Sequence, residues 1–129
     1  MRYLGIDYGT KRVGLAVSDE GGTLAFPYAV IENNTALFGG IVDICQKENV
    51  KEIVVGESLD YHGNQNLLMQ KILPFKEKLF ARLKIPVHFH TEVLTSREAK
   101  QTNGDLTFLD ARAATIMLQS FLDSRKYRV

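Results

Sequence analysis

The first 32 residues constrain the fold most, because they read as three β-strands joined by two tight turns. The residue pattern predicts strands at 2–8, 12–18 and 24–31, separated by Gly9-Thr10-Lys11 and Asp19-Glu20-Gly21-Gly22. Strands that follow one another through such short turns pair in antiparallel order. This part of the chain therefore predicts an antiparallel meander.

The rest of the chain alternates helices with short strands. Thr35 and Thr107 are the predicted N-caps of two helices, and Pro74 is expected to kink or split another. Hairpins followed by β-α-β crossovers predict an α/β fold in one domain, residues 1–129, with a five-stranded mixed sheet: three antiparallel strands, then parallel β-α-β, with helices on both faces. The predicted elements after the meander are a helix at 35–49, a strand at 52–56, a helix at 64–83, a strand at 86–93, a short helix from 95 and a helix at 107–123.

The charge of the chain excludes nucleic-acid binding by bulk charge and leaves open a local surface that binds anions. The 16 Lys and Arg residues nearly balance the 15 Asp and Glu residues, so the chain does not bind nucleic acid by bulk charge alone. Residues 1–64 carry 5 basic and 9 acidic side chains, whereas 65–129 carry 11 and 6. This asymmetry fits either a surface that meets an anion or two differently charged solvated faces. Lys71, Lys78 and Arg82 line one flank of the helix predicted at 64–83.

A single cysteine, Cys45, rules out a disulfide within the chain and a zinc site built from several cysteines. It falls in an apolar helical pattern, which predicts a core residue. The sequence shows neither a signal peptide nor 18 consecutive apolar residues, so we expect a cytoplasmic protein with no membrane segment.

Asp7 is the first chemically unusual residue, because a carboxylate in a strand is costly without a cation or hydrogen-bond donors. In extended backbone Asp7 shares a face with Gly5, and on the next strand Gly14 and Ala16 form a small-residue face. If these faces align, they leave room for a ligand or for close backbone approach. The alternative is a local role, in which Asp7 caps the following turn.

Three further acids occur at strand ends or a helix start. Glu92 lies near the end of the strand predicted at 86–93, Glu57 follows the strand predicted at 52–56, and Asp110 opens the last predicted helix. Each has an ordinary explanation as a solvated loop carboxylate or, for Asp110, as a capping residue. Together with Asp7 they could converge to hold two Mg²⁺ or Mn²⁺ ions, the standard apparatus for phosphodiester hydrolysis.

The histidines indicate no separate catalytic site. His88 and His90 alternate on one strand face, and we interpret them as packing or surface residues. The chain contains no Gly-x-Ser-x-Gly, His-Glu-x-x-His or Walker sequence.

Four segments in the right order resemble the YqgF/RuvX family of Holliday-junction-resolvase-like or pre-16S rRNA nucleases. They are LGIDYGTKRVGLAVSD at 4–19, IVVG at 53–56 followed by Leu59 and Gly63, EVLTSREA at 92–99, and LDARAATIMLQ at 109–119. The resemblance covers nearly the whole chain.

The resemblance implies a ribonuclease-H-like nuclease domain with a carboxylate metal site. It assigns Asp7, Glu92 and Asp110 as the catalytic and metal-ligating residues, with two Mg²⁺ or Mn²⁺ ions. The implied activity is hydrolysis of structured RNA or branched DNA, either at the 5′ end of pre-16S rRNA in ribosomal precursors or at Holliday junctions, by a monomer or homodimer. The basic residues that remain as candidates for phosphate contact are Lys11, Arg12, Arg97, Lys100 and Arg112.

The chain departs from the family pattern in three places. Thr91-Glu92-Val93 stands where the family usually has Asp-Glu-Arg, and Glu57-Ser58 stands where it has Leu-Pro, so Glu57 is a candidate for the lost carboxylate. The loop at 103–107 is short and not basic. These departures keep open a non-catalytic nucleic-acid or ribosome-assembly binding module. The GIDYGT segment also resembles the first phosphate motif of actin, Hsp70 and sugar-kinase ATPases, but the chain lacks their second domain and second glycine-rich loop.

Overall fold

A computed structural model describes residues 1–57, 67–91 and 106–126, with the backbone alone for 106–110 and 126. The strands are β1 Arg2–Tyr8, β2 Arg12–Ser18, β3 Ala25–Glu32, β4 Val50–Glu57 and β5 Val87–Thr91. The helices are α1 Leu37–Lys47, α2 Met69–Leu83 and α3 Leu106–Lys126. The predicted strand residues 92 and 93 and the short helix from Thr95 lie outside the described residues.

The five strands form one mixed sheet in the order β3-β2-β1-β4-β5. β1 pairs antiparallel with β2, and β2 with β3, whereas β4 pairs parallel with both β1 and β5. The predicted mixed sheet is therefore confirmed. The ends of β1, β3, β4 and β5 lie at the same side of the sheet, which we call the carboxyl edge.

Helices pack on both faces of the sheet, as predicted. On the α1/α2 face, large aliphatic side chains are fully buried, and Cys45 is among the core residues, as expected. Burial raises the pKa of its thiol to about 11. The α3 face holds a smaller cluster: Tyr3, Ala16, Val54, Ala114, Met117, Leu118, Phe121 and Leu122.

Small residues let α3 approach the sheet closely. The register pairs Gly5 with Ala16 and Asp7 with Gly14, so the two small faces align as predicted. A Cβ atom added at Gly5 would lie 2.9 Å from the Cβ of Leu118, closer than side chains tolerate. Of the two explanations for this surface, close backbone approach is confirmed at Gly5, because the helix occupies that space.

Two predicted helix starts are wrong. Helix α1 has Ala36 as its N-cap rather than Thr35, and the Ala36 N–H donates to Oδ1 of Asn34 over 2.9 Å. The asparagine two residues before the cap thus forms an Asx-type turn that leads into the helix. Helix α3 begins at Leu106, so Thr107 has helical backbone and is not its cap.

Pro74 does not split its helix. Helix α2 runs without a break from Met69 to Leu83 and contains Pro74 as its sixth residue. Met69 and Ile72 before the proline and Leu79 after it are all buried against the sheet. This shared burial on both sides of Pro74 offsets the cost of one lost backbone hydrogen bond.

None of the helices in the described ranges combines the length and the apolar character needed to cross a bilayer.

Candidate functional site

Asp7 lies at the carboxyl edge, on the α3 face of the sheet. It is half-buried and is the penultimate residue of β1. Its partner on β2 is Gly14, and extending the β1–β4 register by one residue from the pair Ile6–Val55 brings Gly56 alongside it. Glycine on both neighbouring strands leaves the space beside the carboxylate free of strand side chains.

Helix α3 runs so that its amino-terminal turns approach the level of Asp7. The rings of Phe121 and Tyr3 have centroids 6.1 Å apart, and Leu118 and Ala114 sit over Gly5. Moving one helical turn back from Ala114 covers about 6 Å, and moving from Gly5 to Asp7 along β1 covers about 7 Å. The backbone of residue 110 is therefore carried toward Asp7.

The backbone position of Asp110 also bears on its alternative role. Because α3 begins at Leu106, Asp110 is the fifth helical residue. Only the backbone N–H groups of the first turn need caps, and Asp110 lies past that turn. The capping-box interpretation of Asp110 is therefore wrong. Its side chain, and all of Glu92, lie outside the described residues.

Glu57 ends β4 on the other side of the sheet from Asp7. Side chains alternate along a strand, so Glu57 shares a face with Val55 and Ile53, which belong to the α1/α2 core. This placement argues against Glu57 as the replacement for the missing family carboxylate. Within the described ranges, no three His, Cys, Asp or Glu side chains group closely enough to hold a metal ion.

An open groove of about 600 Å³ lies at the carboxyl edge, beside the end of β1. It is lined by Thr10, Lys11, Arg12, Glu32, Asn33 and Asn34. Asn33 holds its shape: the side chain donates to the Gly9 carbonyl over 2.8 Å, and its backbone N–H donates to the Lys11 carbonyl over 2.9 Å.

Two basic side chains and one acidic side chain, Glu32, line the groove. Lys11 is exposed, Arg12 is half-buried, and both line the groove as predicted phosphate contacts. Arg112 is exposed on α3. Arg97 and Lys100, the other two predicted contacts, lie outside the described residues.

A buried ionic cluster on the α3 face escaped the sequence analysis. Glu52 is only 7% exposed; its Oε1 lies 2.6 Å from Nε2 of His88 and 3.3 Å from Nη1 of Arg125. Burial raises the pKa of Glu52, but the His88 hydrogen bond and the Arg125 charge outweigh it, so the pKa falls below its ordinary value. We call Glu52, His88, Arg125 and Tyr3, which also hydrogen-bonds Glu52, the Glu52 cluster.

The two strand histidines pack as interpreted from the sequence. The ring of His88 lies 5.3 Å from that of Phe121, and the ring of His90 lies 5.9 Å from it, measured between centroids. His90 Nε2 also lies 2.9 Å from Oγ of Ser120, and burial lowers the pKa of His90.

The sequence signal for the Glu52 cluster was an acid inside a strand otherwise rich in buried apolar residues.

Comparison with known proteins places this architecture in a family. The family model described as RuvX, Holliday junction resolvase, matches residues 1–124. A protein of Nitratidesulfovibrio vulgaris named as a candidate pre-16S rRNA nuclease is 38% identical, covering 95% of this chain and 94% of that relative. A protein of the same name from Caldanaerobacter subterraneus subsp. tengcongensis is 36% identical, covering 98% and 99%.

Solved structures show the same fold. RuvC of T. thermophilus, in complex with a Holliday junction substrate, superposes with a TM-score of 0.66 at 18% identity, covering 98% of this chain and 97% of that chain. The Fowlpox virus resolvase, in complex with Holliday junction DNA, gives a TM-score of 0.61 at 12% identity, covering 97% and 99%. The ribonuclease-H-like architecture implied by the sequence is thus confirmed, and the chain belongs to the RuvX family.

Proposed function

We propose that this protein is a metal-dependent nuclease whose centre is Asp7, Glu92 and Asp110. The observation that carries the proposal is the position of Asp7: at the carboxyl edge, between two glycines on the neighbouring strands, with Lys11 and Arg12 lining a groove at the same edge. Ligand sites in open α/β sheets form at the carboxyl ends of strands. A carboxylate there is well placed to bind hard cations, which prefer oxygen ligands.

Sequence alternation and helix direction support convergence of the other two acids. His88 and His90 face α3 from β5. Glu92 lies outside the described residues, and the proposal puts it on that face by the period of two in the sequence. Helix α3 carries residue 110 toward the level of Asp7. The proposal therefore takes one acid from β1, one from the sequence directly after β5 and one from α3, and leaves out Glu57.

These carboxylates would hold Mg²⁺ or Mn²⁺, two ions in our proposal. Bound divalent cations supply an activated water and neutralise the charge that develops on a phosphodiester. Within the protein, Asp7 contributes negative charge at a fixed point of the sheet, because the β1–β2 and β1–β4 ladders hold its backbone from both sides. Lys11 and Arg12 would bind phosphates of the substrate strand next to that point.

The proposed substrate is structured nucleic acid, with the 5′ end of pre-16S rRNA first and a Holliday junction second. The two relatives are named for the first, and the family description and the RuvC complex name the second. Either substrate would be met in the cytoplasm by a monomer or homodimer.

The same fold could instead bind nucleic acid without cutting it. The observation that favours this second function is Thr91, which ends β5 where family members usually carry an aspartate. One carboxylate fewer at this end of β5 lowers the number of oxygen ligands near Glu92.

A cleavage assay separates the two functions. Labelled precursor RNA spanning the 16S 5′ end and a four-way DNA junction are incubated with Mg²⁺, with Mn²⁺ or with EDTA. We expect cleavage of at least one substrate with either metal, none with EDTA, and a loss of at least about 100-fold for Asp7→Asn, because even residues behind metal ligands cost 10–100-fold.

Glu57→Gln is the matched control, since it neutralises an acid at the same edge but on the opposite face. It should cleave within about twofold of wild type, because we place no ligand there. Binding without cleavage by the folded wild-type protein would establish the non-catalytic module. A Mn²⁺-soaked crystal without metal density beside Asp7 would contradict the metal site itself.

A further inference from the structure

The outer surface of α2 is mainly basic. From Met69 to Lys84 the chain has five basic side chains and one acid, Glu77. In the described part of the chain, none of these five cations forms an ion pair. Unpaired cations concentrated on one helix repel one another, so this surface favours an anionic partner.

Three of the cations form a line. At 100° per residue, Lys71, Lys78 and Arg82 fall within about 40° of one another around the helix axis and span about 16 Å along it. All three are exposed. We call them the α2 stripe. The remaining two, Lys76 and Lys84, lie on the other flank of the helix, at least about 120° away.

The α2 stripe leads away from the carboxyl edge. Helix α2 links the end of β4 to the start of β5, so it runs antiparallel to both strands. Its Phe75 ring lies 5.3 Å from the ring of Tyr8, the residue after Asp7. At the far end, Arg82 lines a hollow with Asn49 and Val50, where β4 begins.

The start of α1 connects the stripe to the groove beside Asp7. Asn34 lines the groove, and its carbonyl accepts the N–H of Leu37, the first residue of α1. The next residue, Phe38, packs edge-on against Phe75, and the ammonium of Lys78 lies 4.3 Å from the centroid of the Phe38 ring. The start of α1 therefore joins the groove, whose lining includes Glu32, to Lys78 of the α2 stripe.

We propose that the α2 stripe is a phosphate-binding track for the part of a nucleic-acid strand that leaves the active edge. The inference rests on the proposed function for its substrate class and adds a second anchoring surface to it. The charges bind phosphates, which RNA and DNA share, and so extend the contact beyond the groove by several nucleotides.

Charge-matched variants test the track. Lys71→Gln/Lys78→Gln removes two charges from the stripe, and Lys76→Gln/Lys84→Gln removes two from the other flank. The pair is well matched, because Lys78 and Lys76 each place the ammonium over a phenylalanine ring, Phe38 and Phe89. Both variants are made in the Asp7→Asn background, so that binding is measured without cleavage.

Binding is read by fluorescence anisotropy with a fluorescein-labelled single-stranded RNA and with DNA of the same sequence, across a salt series. We expect the stripe variant to bind both at least about tenfold more weakly and its salt slope to fall by about 1.4, two phosphate contacts at 0.7 each. The control should keep the wild-type slope and lose at most about twofold in affinity. Adding Arg82→Gln should lower the slope further.

Equal losses in the two variants, or none in the stripe variant, would overturn the track. Sedimentation of each variant tests the competing occupant: a stripe variant that turns a dimer into a monomer would make this surface an interface between copies and overturn the proposal. Failure of the nuclease proposal is seen separately, as wild-type protein that binds but does not cleave.

Discussion

The two faces of the sheet differ in what holds the helices on them. Among the described side chains, the apolar cluster on the α1/α2 face has thirteen buried members, most of them large and aliphatic. The cluster on the α3 face has eight, two of them alanines, and the carboxylate of Glu52 is buried on the same face. Large apolar contacts supply most of the folding free energy. On the α3 face, one helix instead packs closely against a glycine and forms ionic contacts with the sheet. This is also the face that carries Asp7.

Two carboxylates on the α3 face show the same contrast at smaller scale. Glu52 lies deep in the sheet and is bound by a histidine, an arginine and a tyrosine. Asp7 lies at the edge, with glycines on both neighbouring strands and a groove beside it. A buried acid bound by three side chains serves structure, whereas an acid at the carboxyl edge lies where ligand sites form in open α/β sheets.

The largest predicted effect is on the α1/α2 face. Ile53→Ala removes a fully buried side chain and should lower the free energy of unfolding by about 2–5 kcal/mol, measured by urea denaturation. Cleavage per folded molecule should stay within about twofold of wild type, because the substitution leaves α3 in place. A large loss of rate in the folded protein would show that the two faces do not divide stability from activity.

Glu52→Gln tests the ionic cluster on the other face. The lost charge leaves His88 and Arg125 poorly paired, which should cost about 1–3 kcal/mol of stability near neutral pH. Because the pKa of Glu52 is below its ordinary 4.5 in the folded protein, the folded state binds fewer protons than the unfolded chain. Its stabilisation is therefore full above about pH 4.5 and is lost as pH falls below it.

Urea unfolding at several pH values checks this dependence. The wild-type protein should lose stability below pH 4.5 more steeply than the Glu52→Gln variant. Glu20→Gln, which changes an acid whose side chain is 91% exposed, is the control and should retain the wild-type profile. Parallel wild-type and Glu52→Gln profiles would mean that the cluster does not contribute in this way.

Gly5→Ala should cost about 1–3 kcal/mol, because the added methyl meets the Cβ of Leu118 at 2.9 Å and α3 must shift. The same shift moves residue 110 relative to Asp7, so the cleavage rate of the folded protein should fall as well. Stability is read by thermal denaturation and rate by the RNA cleavage assay. A stable variant with wild-type activity would contradict close approach as the reason for this glycine.

The smallest effect is expected at Gly39 in α1, where a Cβ atom would have no neighbour within 4 Å. Gly39→Ala should stabilise the protein by up to about 1 kcal/mol, because alanine loses less backbone entropy in a helix. Thermal denaturation of the Gly39→Ala and Gly5→Ala variants side by side tests the effect of context. The same substitution should raise stability on the α1/α2 face and lower it on the α3 face.

Local sequence signals predicted the elements well where the pattern was short and the turns were tight. The first two strands have the predicted bounds, because glycine-containing turns and alternating residues define them without help from the rest of the chain. Asp7 was likewise identified from its own strand. Pro74 shows the limit of such signals. Local preference predicted a kink or a split, and buried contacts on both sides of the proline keep one continuous helix.

Sequence alone thus determined the order of elements, the family segments and the unusual carboxylate in β1, since each depends on residues within a few positions of one another. Only the tertiary structure decided that Glu57 and Asp7 lie on opposite faces, that Gly5 serves the approach of α3, and that Glu52 meets Arg125. These facts depend on strand register and on how a helix crosses the sheet, and both are set by contacts between residues far apart in the chain.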